Sequence, residues 1–333
     1  MDCGQRGRCN GKRQQEHGER YRAVVRARAP ARARISVLLI AAVLLAACSK
    51  TDSGAAYAPT LGAPASSVIV PEYKLGVVPM ENFRNIYEVF LPIVEHVNAR
   101  LPDARLTLEV PRGLPEFEQA LAARAYAITL ASPYHAHRAA SGDAYRVFGK
   151  MGDDDAFRGI LIVKRGSAIQ TLADLKGRQV SFPPKTALAA TMMTQVYLKE
   201  QGIDPARDIA ASYVGGQHAS IMQVYQGHAA AGASWPLGWV SFQRLHPHEA
   251  QQLEVRFATA SLIHMALMAR TDMAPELVER IAALFASLDD SAEGRAMLER
   301  VPVTRFERAT NASYARVGVF LDRHRRLFGP ESD

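Results

Sequence analysis

The sequence predicts an α/β fold with mostly parallel sheets covered by helices on both faces. Three observations predict it. Short apolar runs of strand length alternate with windows of helical spacing along residues 68–328, and that alternation builds parallel sheets under helical layers. The stretch is long enough for one large domain or two lobes. The three cysteines lie at positions 3, 9 and 48, so residues beyond 48 have no disulfide framework, no thiol nucleophile and no Cys metal site.

The elements follow in order. Residues 1–34 are basic, 35–47 are apolar, and small residues precede Cys48. This is the layout of a secretory signal peptide. The apolar run is shorter than the roughly 20 residues a spanning helix needs. Leu45-Ala46-Ala47-Cys48 resembles the bacterial lipobox, which implies cleavage before Cys48 and a lipid on its sulfur, a stable membrane anchor. A plain signal peptide with a chance cysteine is the alternative. The basic stretch is long for a leader. Either the leader is long, or translation starts at Val24 or Val25 and residues 1–23 are not made.

The whole chain has 40 Lys and Arg against 33 Asp and Glu. Residues 1–47 hold ten of the former and three of the latter, which leaves 30 of each beyond them. The basic balance belongs to the leader, and no patch calls for nucleic acid. Residues 48–68 are rich in Ala, Pro, Ser, Gly and Thr. That composition reads as a flexible tether.

Strands are expected at 73–78, 105–110, 126–130, 159–163, 179–182, 209–214, 229–233, 255–260 and 265–269, from apolar runs of strand length. Helices are expected at 85–99, 115–123, 186–201, 219–225, 275–287, 292–300 and 313–328. Pro92 either kinks the first of these or marks its start. Gly202 and Pro205 stop the third.

Two stretches carry a family resemblance. Residues 167–180, Ser-Ala-Ile-Gln-Thr-Leu-Ala-Asp-Leu-Lys-Gly-Arg-Gln-Val, look like the S-x-I-x-x-L-x-D-L-K-G-K-x-V stretch of type II periplasmic binding proteins. Gly202-Ile203-Asp204-Pro205, Gly215-Gly216-Gln217-His218 and the run from Gln226 to Ala233 follow in the family's order and spacing. Asp289 and Glu293-Gly294-Arg295-Ala296-Met297-Leu298 match its segment near the end. The branch they are most similar to binds phosphate, phosphite and phosphonate for ABC transporters. The resemblance covers about 73–305. It implies two lobes of mixed, mostly parallel sheets, joined by two crossover strands near 159–163 and 262–267. Lobe 1 would hold 69–160 and 260–333, lobe 2 would hold 161–259, and ligand would sit in the cleft between them.

Candidate ligand residues follow from this frame. A helix starting after strand 179–182 exposes amide groups and the positive end of its dipole, an anion site. Lys185 adds a cation there, or is a solvated loop lysine. Thr186 donates its hydroxyl, or is only an N-cap. Phosphonate binders place Ser-Thr-Ser-Gly here; Lys185, Thr186, Ala187 and Leu188 stand in those places, so two hydroxyls and the Gly are missing. The resemblance puts His218 at a second helix start, with Ser220 as a weaker donor. It puts Tyr134, in Ser132-Pro133-Tyr134, on a cleft wall, or Tyr134 is simply packed. Arg84 would pair with an anion, or is a surface charge. Trp235 stands where aminophosphonate binders place an Asp, and of Trp235 and Trp239 one faces the cleft and one the core.

No Gly-x-Ser-x-Gly elbow, P-loop or His-rich metal spacing is present, so no enzyme and no cofactor is expected. Asp153-Asp154-Asp155 reads as a solvated turn rather than a cation site. The expected function is a monomeric, lipid-anchored periplasmic or cell-surface receptor that passes a small oxyanion to an ABC permease. The alternative is a sensory or accessory lipoprotein that signals to a membrane partner.

Overall fold

β5 (Ile160–Lys164) shows how the sequence lays down the architecture. Its side chains alternate between two cores: Ile160 and Ile162 join Ile221, Val224 and Phe242 on one face, and Leu161 and Val163 join Val180, Phe182 and Leu198 on the other. A strand buried on both faces reads as an unbroken apolar run, and a period of two sorts it. β3 (Ile128–Ala131), β8 (Ala231–Ser234) and β10 (Ala266–Arg270) are nearly or wholly buried for the same reason.

The structure is a computed structural model, and it describes residues 70–80, 83–301 and 303–329, with only the backbone of Phe83 and Ala140. The leader, Cys48, the tether and Asn82 lie outside the described residues. The described residues belong to a unit spanning 68–333. No described helix is long and apolar enough to cross a membrane.

Two sheets form. Six strands run in the order β11-β4-β10-β3-β1-β2, with β1 (Glu72–Val77), β2 (Arg105–Glu109), β4 (Tyr145–Met151) and β11 (Phe306–Arg308). Five run in the order β7-β6-β8-β5-β9, with β6 (Gln179–Phe182), β7 (Ala210–Tyr213) and β9 (Leu253–Ala258). The sheets are mixed as expected, but parallel pairing is not the majority. β1-β2, β1-β3, β6-β7 and β6-β8 are parallel. β10-β3, β10-β4, β11-β4, β5-β8 and β5-β9 are antiparallel. Four of these five antiparallel pairs come from β5 and β10. Each is the first strand after the chain changes sheets, and each enters between strands running the other way.

Helices α1 (Phe83–Asn98), α2 (Leu114–Ala122), α3 (Pro133–Ser141), α4 (Thr194–Glu200), α5 (Gln217–Tyr225) and α6 (Pro236–Leu245) are described first, followed by α7 (Pro247–Ala250), α8 (Pro275–Ala286), α9 (Ala292–Arg300) and α10 (Ala315–Phe328). Pro92 lies inside α1, which neither starts nor stops there. α3, α6, α7, β4 and β11 lie outside the expected elements. The helix expected at 186–201 opens instead as a wide π-turn, Leu188–Met193, wholly buried, before α4. Its Thr191 and Met192 amides both reach the Ala187 carbonyl, at 2.8 and 3.2 Å. Gly159 packs under this turn so closely that a Cβ would lie 2.4 Å from Thr194 Oγ1 and 2.5 Å from the Ala189 carbonyl oxygen.

The chain crosses between sheets at 152–159 and 259–265, just before β5 and β10 rather than within them. The crossings are bonded side by side. The Thr259 amide donates to the Gly159 carbonyl at 2.9 Å and the Leu262 amide to the Phe157 carbonyl at 2.9 Å. The acidic run is not a solvated turn. Asp153 accepts from the Thr304 amide and hydroxyl, at 2.6 and 2.8 Å. Asp154 accepts from Lys150 and from the His264 amide, both at 2.9 Å. Asp155 accepts from Ser261 at 3.2 Å. Lys150 is buried and also meets Glu307 at 2.8 Å. Carboxylates here satisfy crossing-segment donors that have no ladder to join.

Candidate functional site

A cavity of about 320 Å³ opens where strand ends converge. It is lined by residues 78–80 after β1, 112–114 after β2, Ser132 and His135 after β3, and Phe157 in the first crossing. Pro184 and residues 186–190 after β6, 215–219 after β7, Trp235 after β8 and Met265 before β10 complete it. Open α/β sheets bind ligands at such carboxyl ends, because loops there are free of the ladder and helices begin there.

On one wall, two helix starts face the cavity. Residues 186–190 open the π-turn and residues 215–219 open α5. First-turn amides of a helix have no acceptor within it. Trp235 Nε1, Gln217 Oε1 and His218 Nε2 are buried and have no hydrogen-bond partner among the described residues. Trp235 is 3% exposed and packs edge-on against Phe157, with 5.7 Å between ring centroids. Burial holds His218 down to about 4, with His246 and Arg244 adding repulsion. A neutral imidazole therefore faces the cavity near neutral pH, and it donates from one nitrogen only.

The polar groups around Ser132 are satisfied. Ser132 caps α3 and lies 2.7 Å from His135 Nδ1. His135 Nε2 lies 3.0 Å from Glu118 Oε1 on α2. The His135 contact holds the Glu118 carboxyl below its usual range against the opposing pull of burial, and the Thr186 hydroxyl helps.

Of the residues chosen from sequence, Thr186, Ala187, His218 and Trp235 line the cavity. Tyr134, Lys185 and Arg84 do not. Tyr134 is 2% exposed, its hydroxyl accepts from Arg138 Nη1 at 2.7 Å and its ring lies under that guanidinium, away from the cavity. Lys185 is exposed, with Nζ 5.7 Å from the Tyr213 ring centroid. The Arg84 side chain is 88% exposed and reaches Glu88 at 3.7 Å. Ser220 spends its hydroxyl on the Ser181 carbonyl at 2.9 Å. Trp239 stacks on Phe242, so Trp235 is the cleft tryptophan.

Sequence reasoning missed Arg112, Ser132, His135, Gln217 and Phe157. Arg112 is the only Lys, Arg, Asp or Glu among the described lining residues, and its guanidinium makes no ion pair among the described residues. Its place directly after a strand was the signal available. No group of His, Cys, Asp and Glu suited to a metal occurs among the described residues.

Residues 75–314 match a family described as ABC transporter, phosphonate, periplasmic substrate-binding protein. No curated protein matches the chain. Similar solved structures include a binding protein component of an ABC phosphonate transporter from Pseudomonas aeruginosa, 14% identical, TM-score 0.69, covering 77% of this chain and 87% of that one. PhnD1 of Prochlorococcus marinus in complex with methylphosphonate is 17% identical, TM-score 0.68, covering 78% and 99%. A Xanthomonas citri protein bound to ATP is 17% identical, TM-score 0.61, covering 77% and 98%. At these identities the likeness establishes a shared fold.

Proposed function

The chain belongs to the family of periplasmic phosphonate substrate-binding proteins of ABC transporters, and from that premise we propose that its cavity captures a small phosphonate-like oxyanion for delivery to the transporter's permease. The family transports rather than catalyses. The observation that carries the reading is the pair of helix starts at 186–190 and 215–219, with Trp235 and His218 nitrogens left unbonded beside them. Fixed amide dipoles suit an oxyanion, and an unbonded buried donor costs about 1–3 kcal/mol until something accepts from it. Arg112 supplies the full positive charge at the cavity. Thr186, Ala187, His218 and Trp235 are the proposed contacts.

We assign residues 69–160 and 260–333 to one lobe and 161–259 to the other, with the paired crossings as the hinge. The apolar lining, Phe157, Leu188, Trp235 and Met265 among it, suits the organic substituent of a phosphonate. Cys48 is proposed as the lipid attachment point, which mass spectrometry of the mature N-terminus tests directly.

Calorimetry of residues 68–333 with methylphosphonate, aminoethylphosphonate, phosphite, phosphate and methanesulfonate tests the binding reading. Heat and a raised melting temperature with at least one of them is the expected result. No response to any defeats it.

A further inference from the structure

Helix α1 follows β1 of the six-stranded sheet, and α6 follows β8 of the five-stranded sheet. The two helices meet beside the cavity. Met80 lines both the cavity and a neighbouring void of about 30 Å³. Ile86 of α1 and Leu237 of α6 give that void an apolar seam, and Asn85, Ser241 and Arg244 also line it. These three polar residues are bonded from one helix to the other. Arg244 Nη2 donates to Asn85 Oδ1 at 2.8 Å, and Asn85 Nδ2 donates to Ser241 Oγ at 3.4 Å. A side-chain amide carries both an acceptor and donors, so Asn85 serves a guanidinium and a hydroxyl at once.

We propose that Asn85 and Arg244 form a latch that holds the two lobes closed and so tightens ligand binding without touching the ligand. Both are positioning residues. Rotation about the paired crossings parts α1 from α6 and breaks the latch. A contact made only in the closed state raises the closed population, and apparent affinity follows that population. The Arg244 bond is exposed, and Thr186 to Glu118 and Arg323 to Glu200 also join the lobes. The latch is therefore one contribution among several, about three- to tenfold in affinity. It rests on the two-lobe reading and is independent of which ligand the cavity takes.

Calorimetry with methylphosphonate, paired with small-angle X-ray scattering of each ligand-free protein, tests the latch. The proteins are the wild type, Asn85→Ala, Asn85→Asp, Arg244→Ala and the two double variants. Residue 85 lies in the first turn of α1, where a carboxylate suits the helix dipole, so Asn85→Asp should fold well. Asn85→Ala weakens methylphosphonate binding about three- to tenfold or, where the ligand-free chain is already closed, expands the ligand-free protein. Asn85→Asp makes a charge-assisted pair with Arg244 and tightens binding. In the Arg244→Ala background, Asn85→Ala has no further effect and Asn85→Asp no longer tightens. A merely structural role for Asn85 would not reverse sign between Ala and Asp.

An Asn85→Ala protein with wild-type affinity and wild-type scattering overturns the latch. So does an Asn85→Ala effect that survives in full in the Arg244→Ala background. A wild type that binds no methylphosphonate counts against the phosphonate reading, and the scattering of Asn85→Ala against wild type then decides the latch alone.

Discussion

The two walls of the cavity differ in how their polar groups stand. Ser132, His135 and Glu118 are bonded to one another. Trp235 Nε1, Gln217 Oε1 and His218 Nε2, by contrast, are buried with no partner among the described residues. The bonded wall is a finished part of the fold, and its geometry exists before ligand arrives. The unbonded wall holds its polar atoms, the Trp235 donor and the Gln217 acceptor among them, in position by packing alone, at a cost to stability that a bonded partner removes. Preorganised donors that need no rearrangement are what make a dry site bind anions well.

The largest test of this contrast is at Trp235. Trp235→Ala empties a core position and is expected to cost about 3–5 kcal/mol in urea unfolding. Trp235→Phe keeps an aromatic ring in place but removes the unbonded N–H together with part of the buried indole. Its ligand-free melting temperature should fall less than that of Trp235→Ala, while phosphonate affinity drops by about tenfold in calorimetry. A Trp235→Phe protein with unchanged phosphonate affinity would show that the indole N–H does not meet the ligand.

Acid comes next. His264 lies behind Trp235, 5.9 Å between ring centroids, fully buried, with Nε2 also unbonded among the described residues. Burial holds it down to about 4 from 6.5, with Lys150 adding to the effect and Asp154 opposing it. Between those values the unfolded chain binds the proton and the fold does not. Stability is therefore intact above 6.5 and falls as pH drops toward 4, by an upper bound of about 3 kcal/mol. His264→Gln should remove this share of the slope in urea melts taken from pH 7 to 4, leaving the share that His218 contributes over the same range.

A smaller effect separates the two walls directly. His135→Ala breaks two bonds and should cost about 1–3 kcal/mol. His218→Ala removes a ring whose Nε2 has no partner to lose, so it should cost less in stability and more in affinity. The reverse ranking would erase the contrast. Arg84→Ala and Lys185→Ala should change stability by no more than about 0.5 kcal/mol and leave ligand affinity unchanged.

Much of the fold was legible along the chain. Strand β5 and its neighbours announce themselves as apolar runs because each residue's face follows from its position in a period of two. The motif at 167–180 resembles type II periplasmic binding proteins, and the elements at 215–218 and 293–298 point to the phosphonate branch that the family match bears out. Where expectation failed, the cause was tertiary. Antiparallel entry of β5 and β10 depends on which sheet the chain has just left. Asp153, Asp154 and Asp155 look like a solvent-facing run until Thr304, His264 and Ser261 arrive from far along the chain.

The site divides the same way. Thr186 was found because a helix start was expected after strand 179–182, and His218 and Trp235 because the resemblance sets cleft residues after the next two strands. Tyr134 was chosen over Ser132 and His135 although all three share the start of α3. Successive helical residues turn by about 100°, so neighbours in the chain face different places, and only the packing of α3 against α2 decides which of them looks into the cavity. By itself the sequence determined the alternation of elements, the family and the strand ends where a ligand belongs, since those depend on neighbours a few residues apart. Which side chains turn inward, and which of their polar atoms are already bonded, was decided by contacts between segments tens of residues apart, where one rotation spends or frees a hydrogen bond.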